Sequence, residues 1–174
     1  MPARSTPTIS SEDLRSIMQR VPAPVTVVTA AGHSEARGAT IGSFTSVSLD
    51  PPLVSFNVDK DSQMHAVLET AGHFAVHLLS DEQSALCTHF AAPDQEGSDQ
   101  LDAVAYRADE HDTPVLEAAP AVLHCRWHEA FEAGDHTIVV GRVTRLEERE
   151  EAPPILYYDR DYRSVSAPSP TRSR

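Results

Sequence analysis

The stretch Val25-Thr26-Val27-Val28-Thr29 is β-branched at every position. Such side chains lose freedom in a helix and pack well on a pleated surface, so the run reads as a strand, with Ala31-Gly32 as the turn after it. Comparable runs recur along the chain. Residues 39–49 (ATIGSFTSVSL) alternate small polar and apolar side chains and read as one strand. Asp50-Pro51-Pro52 breaks it, and Leu53 to Val58 resumes the alternation, with Val54, Phe56 and Val58 on one face and Ser55 and Asn57 on the other. Phe74 to Leu79, Ala121 to Trp127, Thr137 to Arg145 and Ile155 to Tyr158 read as further strands. So many short strands must have their edges closed or covered, which predicts a mainly β protein: a closed or partly closed barrel decorated by a few short helices.

Three helices are legible. Ser10 and Ser11, with Glu12 and Asp13 behind them, suit a helix start, and Leu14, Ile17, Met18 and Val21 then form an apolar stripe ended by Pro22 and Pro24. Met64, Val67 and Leu68 form a shorter stripe ending near Gly72. Ser80 opens a capping box with Gln83, followed by Leu86 and Phe90 one turn apart. Residues 1–9 and 164–174 are rich in Ser, Pro, Thr and Arg and read as disordered ends around one domain spanning 10–163.

The formal charge of −12 opposes general binding to nucleic acid or an anionic membrane, since both need clustered cations. No apolar run reaches the roughly 18 residues of a membrane span. Met1 to Thr8 lacks the apolar core of a secretory signal, so a cytoplasmic protein is expected. Cys87 and Cys125 are far apart and outside any CxxC pattern, which predicts two reduced, buried thiols.

The nine histidines predict no metal site. His124/His128 and His73/His77 fall on strands, where positions i and i+4 are about 13 Å apart, and no HExxH occurs. GxSxG, P-loop and GxGxxG motifs are absent as well. What stands out is Thr40, Ser43, Thr45, Ser46 and Ser48 clustered around Gly42. Hydroxyls and strand amides in that density suit either a solvated edge strand or hydrogen bonding to a planar heterocycle or a phosphate.

The blocks RGATIGSFTSVSLDPPLVSF (37–56), FAVHLLSDEQSALCTHFA (74–91) and GDHTIVVGRV (134–143), together with PAPVTVVT (22–29), PVLEAAPAVLHC (114–125) and PILYYDRDY (154–162), resemble the flavin reductase family from about Leu14 to Tyr162. The resemblance implies an FMN-binding split β-barrel of Greek-key-like topology, binding of FMN or FAD, oxidation of NADH or NADPH, a homodimer, and reduced flavin supplied to a partner monooxygenase. An FMN-binding protein without turnover and a flavin-bound reductase of another acceptor, such as ferric iron, are the alternatives. Gly42 stands where many members carry serine, and His77 where asparagine is frequent.

By the same resemblance, Thr40, Ile41, Gly42 and Ser43 edge the isoalloxazine ring, and Thr45 and Ser46 lie along the ribityl chain and phosphate. Lys60, Asp61 and Ser62 match the family's phosphate-contacting stretch, with His65 one turn on; Lys60 is the only lysine of the chain. Phe90 and Ala91 match a further flavin contact. His136 matches a histidine near the nicotinamide, with Tyr158 and Tyr162 closing over the site. No catalytic side chain is expected, because hydride passes directly between two stacked rings and the protein supplies geometry and electrostatics.

Overall fold

The computed structural model describes residues 9–92 and 97–165; the expected disordered ends lie outside these, apart from Ile9, Ser164 and Val165. Helix α1 (Ser11–Met18) begins at the helix start read from the sequence, where Ser10 and Asp13 form a capping box. Strands β1 (Ala23–Pro24), β2 (Thr26–Ala31), β3 (Ala36–Ile41), β4 (Thr45–Leu49) and β5 (Pro52–Asp59) follow. Helix α2 (Gln63–Thr70) leads into β6 (His73–Leu78), and a short turn of helix after Ser80 into α3 (Ser84–Ala91) and α4 (Gly97–Asp102). The chain continues through β7 (Tyr106–Ala108), β8 (Pro114–Leu116), β9 (Ala121–Ala133), β10 (His136–Glu148), β11 (Ile155–Tyr158) and β12 (Asp161–Ser164).

Seven strands form one antiparallel sheet in the order β3-β2-β6-β9-β10-β5-β4. Residues 39–49 are therefore two strands, not the single strand that their alternation predicts. They lie at opposite edges of the curled sheet, and Gly42-Ser43-Phe44 carries the chain between them. No ladder closes β3 onto β4, so the barrel is split there. A side chain partly bridges the split: Ser43 Oγ accepts the amide of Asn57 at 2.8 Å. Position 42 is uncrowded, since a β-carbon there would meet only Ala23 Cβ and Pro24 O at 3.8 and 3.9 Å.

Two apolar cores lie on either side of this sheet. One holds Val28, Phe56, Val58, Met64, Leu68, Phe74 and Val139, with the Phe56 and Phe74 rings edge-to-face at 5.4 Å. The other holds Val27, Ala75, Cys87, Phe90, Leu116 and Val122. Strand β2 is sandwiched between them, which is why it reads as a continuous apolar run. Both cysteines are buried free thiols, pushed up by burial to about 11 for Cys87 and about 12 for Cys125. No helix of the described residues is long and apolar enough to cross a membrane.

The β7–β8 hairpin and α4 have no counterpart in the sequence reading. Three-residue strands and a six-residue helix are too short to show a period. Polar contacts hold the hairpin in place. His77 is buried, and its Nδ1 donates to Val27 O at 2.9 Å while its Nε2 accepts the Leu116 amide at 3.1 Å. Beside it, Arg107, Arg145, Arg149 and His124 converge on Glu147, and the Arg107 hydrogen bond leads in holding that carboxyl well below the usual carboxylate range.

Candidate active site

The outer face of β5 carries the site. In an antiparallel ladder, directly opposed residues project to the same face, and alternate residues of one strand share it. His136 opposes Asp59, Ile138 opposes Asn57, and Thr45 opposes Ser55. The outer face therefore presents Thr45, Asn57, Asp59, His136 and Ile138 together, with Ser43 hydrogen-bonded to the Asn57 backbone beside them.

At one end of this face, a cavity of about 680 Å³ opens beneath α1, lined by Leu14, Arg15, Met18, Asn57, His136 and Ile138. His136 lies where Gly134, in a left-handed turn at φ +65°, reverses the β9–β10 hairpin. Its Nδ1 is 2.8 Å from Asp135 Oδ1. A carboxylate only accepts, so Nδ1 carries the proton and Nε2 remains for a ligand. That hydrogen bond is the first cause holding the Asp135 carboxyl below its usual range.

At the other end, a cavity of about 580 Å³ runs along the edge of β3, between the start of α2 and the end of α3. Both volumes fall within the roughly 300–1,000 Å³ of small-molecule sites. Thr40, Asp61, Ser62, Phe90 and Ala91 line the cavity along β3 together, joined by Arg37, Gly38, Asp59, Gln63, Met64 and Gln100. Thr40 Oγ1 donates to Cys87 O at 2.6 Å, fixing the β3 edge to α3. Buried Gln100 accepts the outward-facing Gly38 amide at 2.9 Å through Oε1. By alternation the Thr40 amide and carbonyl also face outward, along the cavity wall. Phe90 packs so closely on Gly38 that a β-carbon there would lie 2.6 Å from its ring.

Other expected site residues lie elsewhere. Lys60 follows Asp59 on the opposite side of the chain and pairs with Glu132 at 3.1 Å. It lines a separate cavity with His65, Trp127 and Thr137, where His65 Nε2 meets Thr137 Oγ1 at 2.8 Å. Ile41 is buried in the core, and Ser46, opposite Val54, faces away from Thr45. Tyr162 is half-buried near Thr88, packs edge-to-face on Tyr157 at 5.4 Å, and has its phenol pushed up by burial; Tyr158 is exposed. Among the described residues no cluster of His, Cys, Asp and Glu could hold a metal ion.

Arg37, Asn57 and Gln100 are among the lining residues that the sequence reading did not assign. Alternation already placed Asn57 on the polar face of its strand. Arg37 and Gln100 carried no such signal, because each reaches the site only through the packing of α2 and α4 against β3.

A split antiparallel barrel with an edge cavity and a histidine-flanked shelf defines a flavin reductase-type domain, and the comparisons agree. The family model described as flavin reductase like domain matches residues 18–166. This chain belongs to that family. It is 40% identical over 158 residues to the reductase component of 4-hydroxyphenylacetate 3-monooxygenase from Thermus thermophilus, covering 91% of this chain and 99% of that protein. It is 38% identical to an NADH:FMN oxidoreductase from Rhodococcus erythropolis, covering 88% and 81% respectively. A solved NADH:FAD oxidoreductase from Streptomyces globisporus superposes with a TM-score of 0.85 at 37% identity, over 97% of this chain and all of that one.

Proposed function

We propose that this protein is an NAD(P)H:flavin oxidoreductase that transfers hydride from NADH or NADPH to FMN or FAD and supplies reduced flavin to a partner monooxygenase. One observation carries the reading: His136, which lines the cavity beneath α1, opposes Asp59, which lines the cavity along β3, an arrangement that suits a nicotinamide beside a flavin. The named activities of the relatives support it.

The donor set fits a flavin. The wall along β3 offers the outward-facing Thr40 backbone to a planar heterocycle, and Phe90 and Met64 offer it apolar contact. The flavin, when bound, supplies the two-electron acceptor chemistry. The chain's residues then act by position. Asp135 holds His136 in one tautomer, so that Nε2 can orient the nicotinamide carboxamide, while α1 shields that end from water.

The exposed apolar stripe of α1 supports a homodimer. The helix has no buried residue, and Leu14, Ile17 and Met18 are 58%, 57% and 53% exposed despite forming one apolar stripe. A second copy would cover that stripe and enclose the cavity beneath it. The test of function is steady-state NADH and NADPH oxidation with and without added FMN or FAD. Turnover that depends on free flavin supports the reading. Flavin binding without nicotinamide oxidation, or turnover only with another acceptor, overturns it.

A further inference from the structure

Helix α1 roofs the cavity that His136 lines, yet it is weakly attached to what it covers. Ser11, Leu14, Arg15 and Met18 recur at helical spacing and turn one face to that cavity, and no residue of the helix is buried. A helix this short does not hold its place without tertiary contacts. Among the described residues, one hydrogen bond joins residues 10–20 to another part of the chain: the Asp159 amide donates to Gln19 O at 3.0 Å. Gln19 is the C-cap of α1, so its carbonyl has no partner within the helix.

The donor sits at the tip of the β11–β12 hairpin. Tyr158 pairs with Asp161, so Asp159 and Arg160 form a two-residue turn, and both hold left-handed backbone, at φ +51° and +65°. Aspartate tolerates that conformation and arginine rarely adopts it, so the tip is held against its local preference. The tight turn leaves the Asp159 amide outside the β11–β12 ladder and free to reach Gln19. The base of the hairpin is fixed elsewhere. Ile155 is buried in the second core and its amide donates to Leu79 O at 3.3 Å, and Ser164 Oγ meets Asp81 Oδ2. Tyr162 reaches Thr88 of α3, the helix whose last residues line the cavity along β3.

We infer that the β11–β12 hairpin is a strut that positions α1 over the nicotinamide cavity, with the Asp159 amide as its latch and Asp159 and Arg160 as positioning residues. This rests on the reading of the cavity beneath α1 as the nicotinamide site, and it gives the hairpin a part in the reaction that acts through α1. Braced from the α3 side, α1 keeps Leu14 and Met18 in place above Ile138 and His136, so the cavity is formed before the dinucleotide arrives. Without the latch, α1 is held through the chain at Pro22 and the β1–β11 pairing, where Ala23 opposes Tyr157, and it opens locally. Binding a nicotinamide must then order the helix as well. Flavin binding along β3 does not draw on α1.

The test combines backbone hydrogen exchange, flavin fluorescence quenching and initial-rate kinetics on the full chain. Asp159→Pro removes the latch amide and cannot adopt a positive φ. The hydrogen-bonded amides of α1 should then exchange about tenfold faster and KM for NADH or NADPH should rise about fivefold or more, with kcat and the flavin dissociation constant within about twofold. Because proline also breaks the turn, a second variant inserts two glycines between Asp159 and Arg160; it keeps both strands and every side chain, and the same pattern is expected. The paired variant Asp159→Asn with Arg160→Gly keeps the amide and suits a left-handed turn, so it should match the wild type in exchange and in KM. Light scattering should report one assembly state throughout, since the latch lies within one chain. Unchanged α1 exchange in the first two variants, or faster exchange with an unchanged KM, overturns the proposal. An equal loss of flavin binding and of protection in β2 overturns it too, by making the hairpin a general stabiliser, as does a change of assembly that accompanies the rise in KM. A wild type that binds flavin but oxidises neither nicotinamide removes the reading of the cavity before any variant is compared, and the role of the strut with it.

Discussion

His136 and Asp59 oppose each other across the β10–β5 ladder, one lining the cavity beneath α1 and the other the cavity along β3. That single register joins two sites whose residues come from distant parts of the chain. A slip of one residue would turn His136 to the core face and separate them.

His136→Ala tests the division of labour along this face. Flavin affinity should stay within about twofold, while kcat/KM for NADH or NADPH falls about tenfold or more, roughly 1.4 kcal/mol. Fluorescence quenching and initial-rate kinetics on the same preparation check both. A joint loss of stability and flavin binding would mark the histidine as structural.

Gly38→Ala tests the close contact with Phe90. The new methyl would lie within 2.7 Å of two ring carbons, so the ring must move. A destabilisation of about 1–3 kcal/mol is expected, read by urea unfolding, together with weaker flavin binding as the cavity wall shifts. Gly72→Ala, where an added β-carbon meets nothing within 4 Å, is the control.

His77 links stability to pH. Burial is the main cause that pushes its imidazole down to about 4, from 6.5 in the unfolded chain. Between those values the unfolded state takes up the proton first, so stability is full above pH 6.5 and falls as the pH drops towards 4, by roughly 3 kcal/mol. Urea midpoints at pH 7 and pH 5 should show this decline. It should be much reduced in His77→Gln, which has no titrating ring.

Assembly is tested on α1. Light scattering should report about twice the chain mass of 18.9 kDa. Leu14→Glu combined with Ile17→Glu should give monomers, because a charge on each of two turns of the exposed stripe opposes its burial in an interface. Since Leu14 also lines the cavity under α1, the monomer should show a raised KM for the nicotinamide.

Local chemistry written in the amino acids determined much of this protein. The β-branched run of β2, the alternation of β5, the Ser10 and Ser80 capping boxes and the Met64-Val67-Leu68 stripe each set their own element, because propensity, period and cap act within a few residues. The hydroxyl-rich stretch around Gly42 marked the site, and the several family blocks at matching spacing marked the class of protein. Tertiary structure decided the rest. The break at 42–44 follows from a sheet that curls until β3 and β4 become its two edges, which no local pattern records. Strand alternation and the turn into α2 sent Lys60 to Glu132 and away from the cavity that Asp61 lines, although Lys60 and Asp61 are neighbours in sequence. Arg37 reached the cavity only because α2 and α4 pack on its strand. A binding site is a set of directions as well as a set of residues, and those directions are fixed by register and packing across the whole chain.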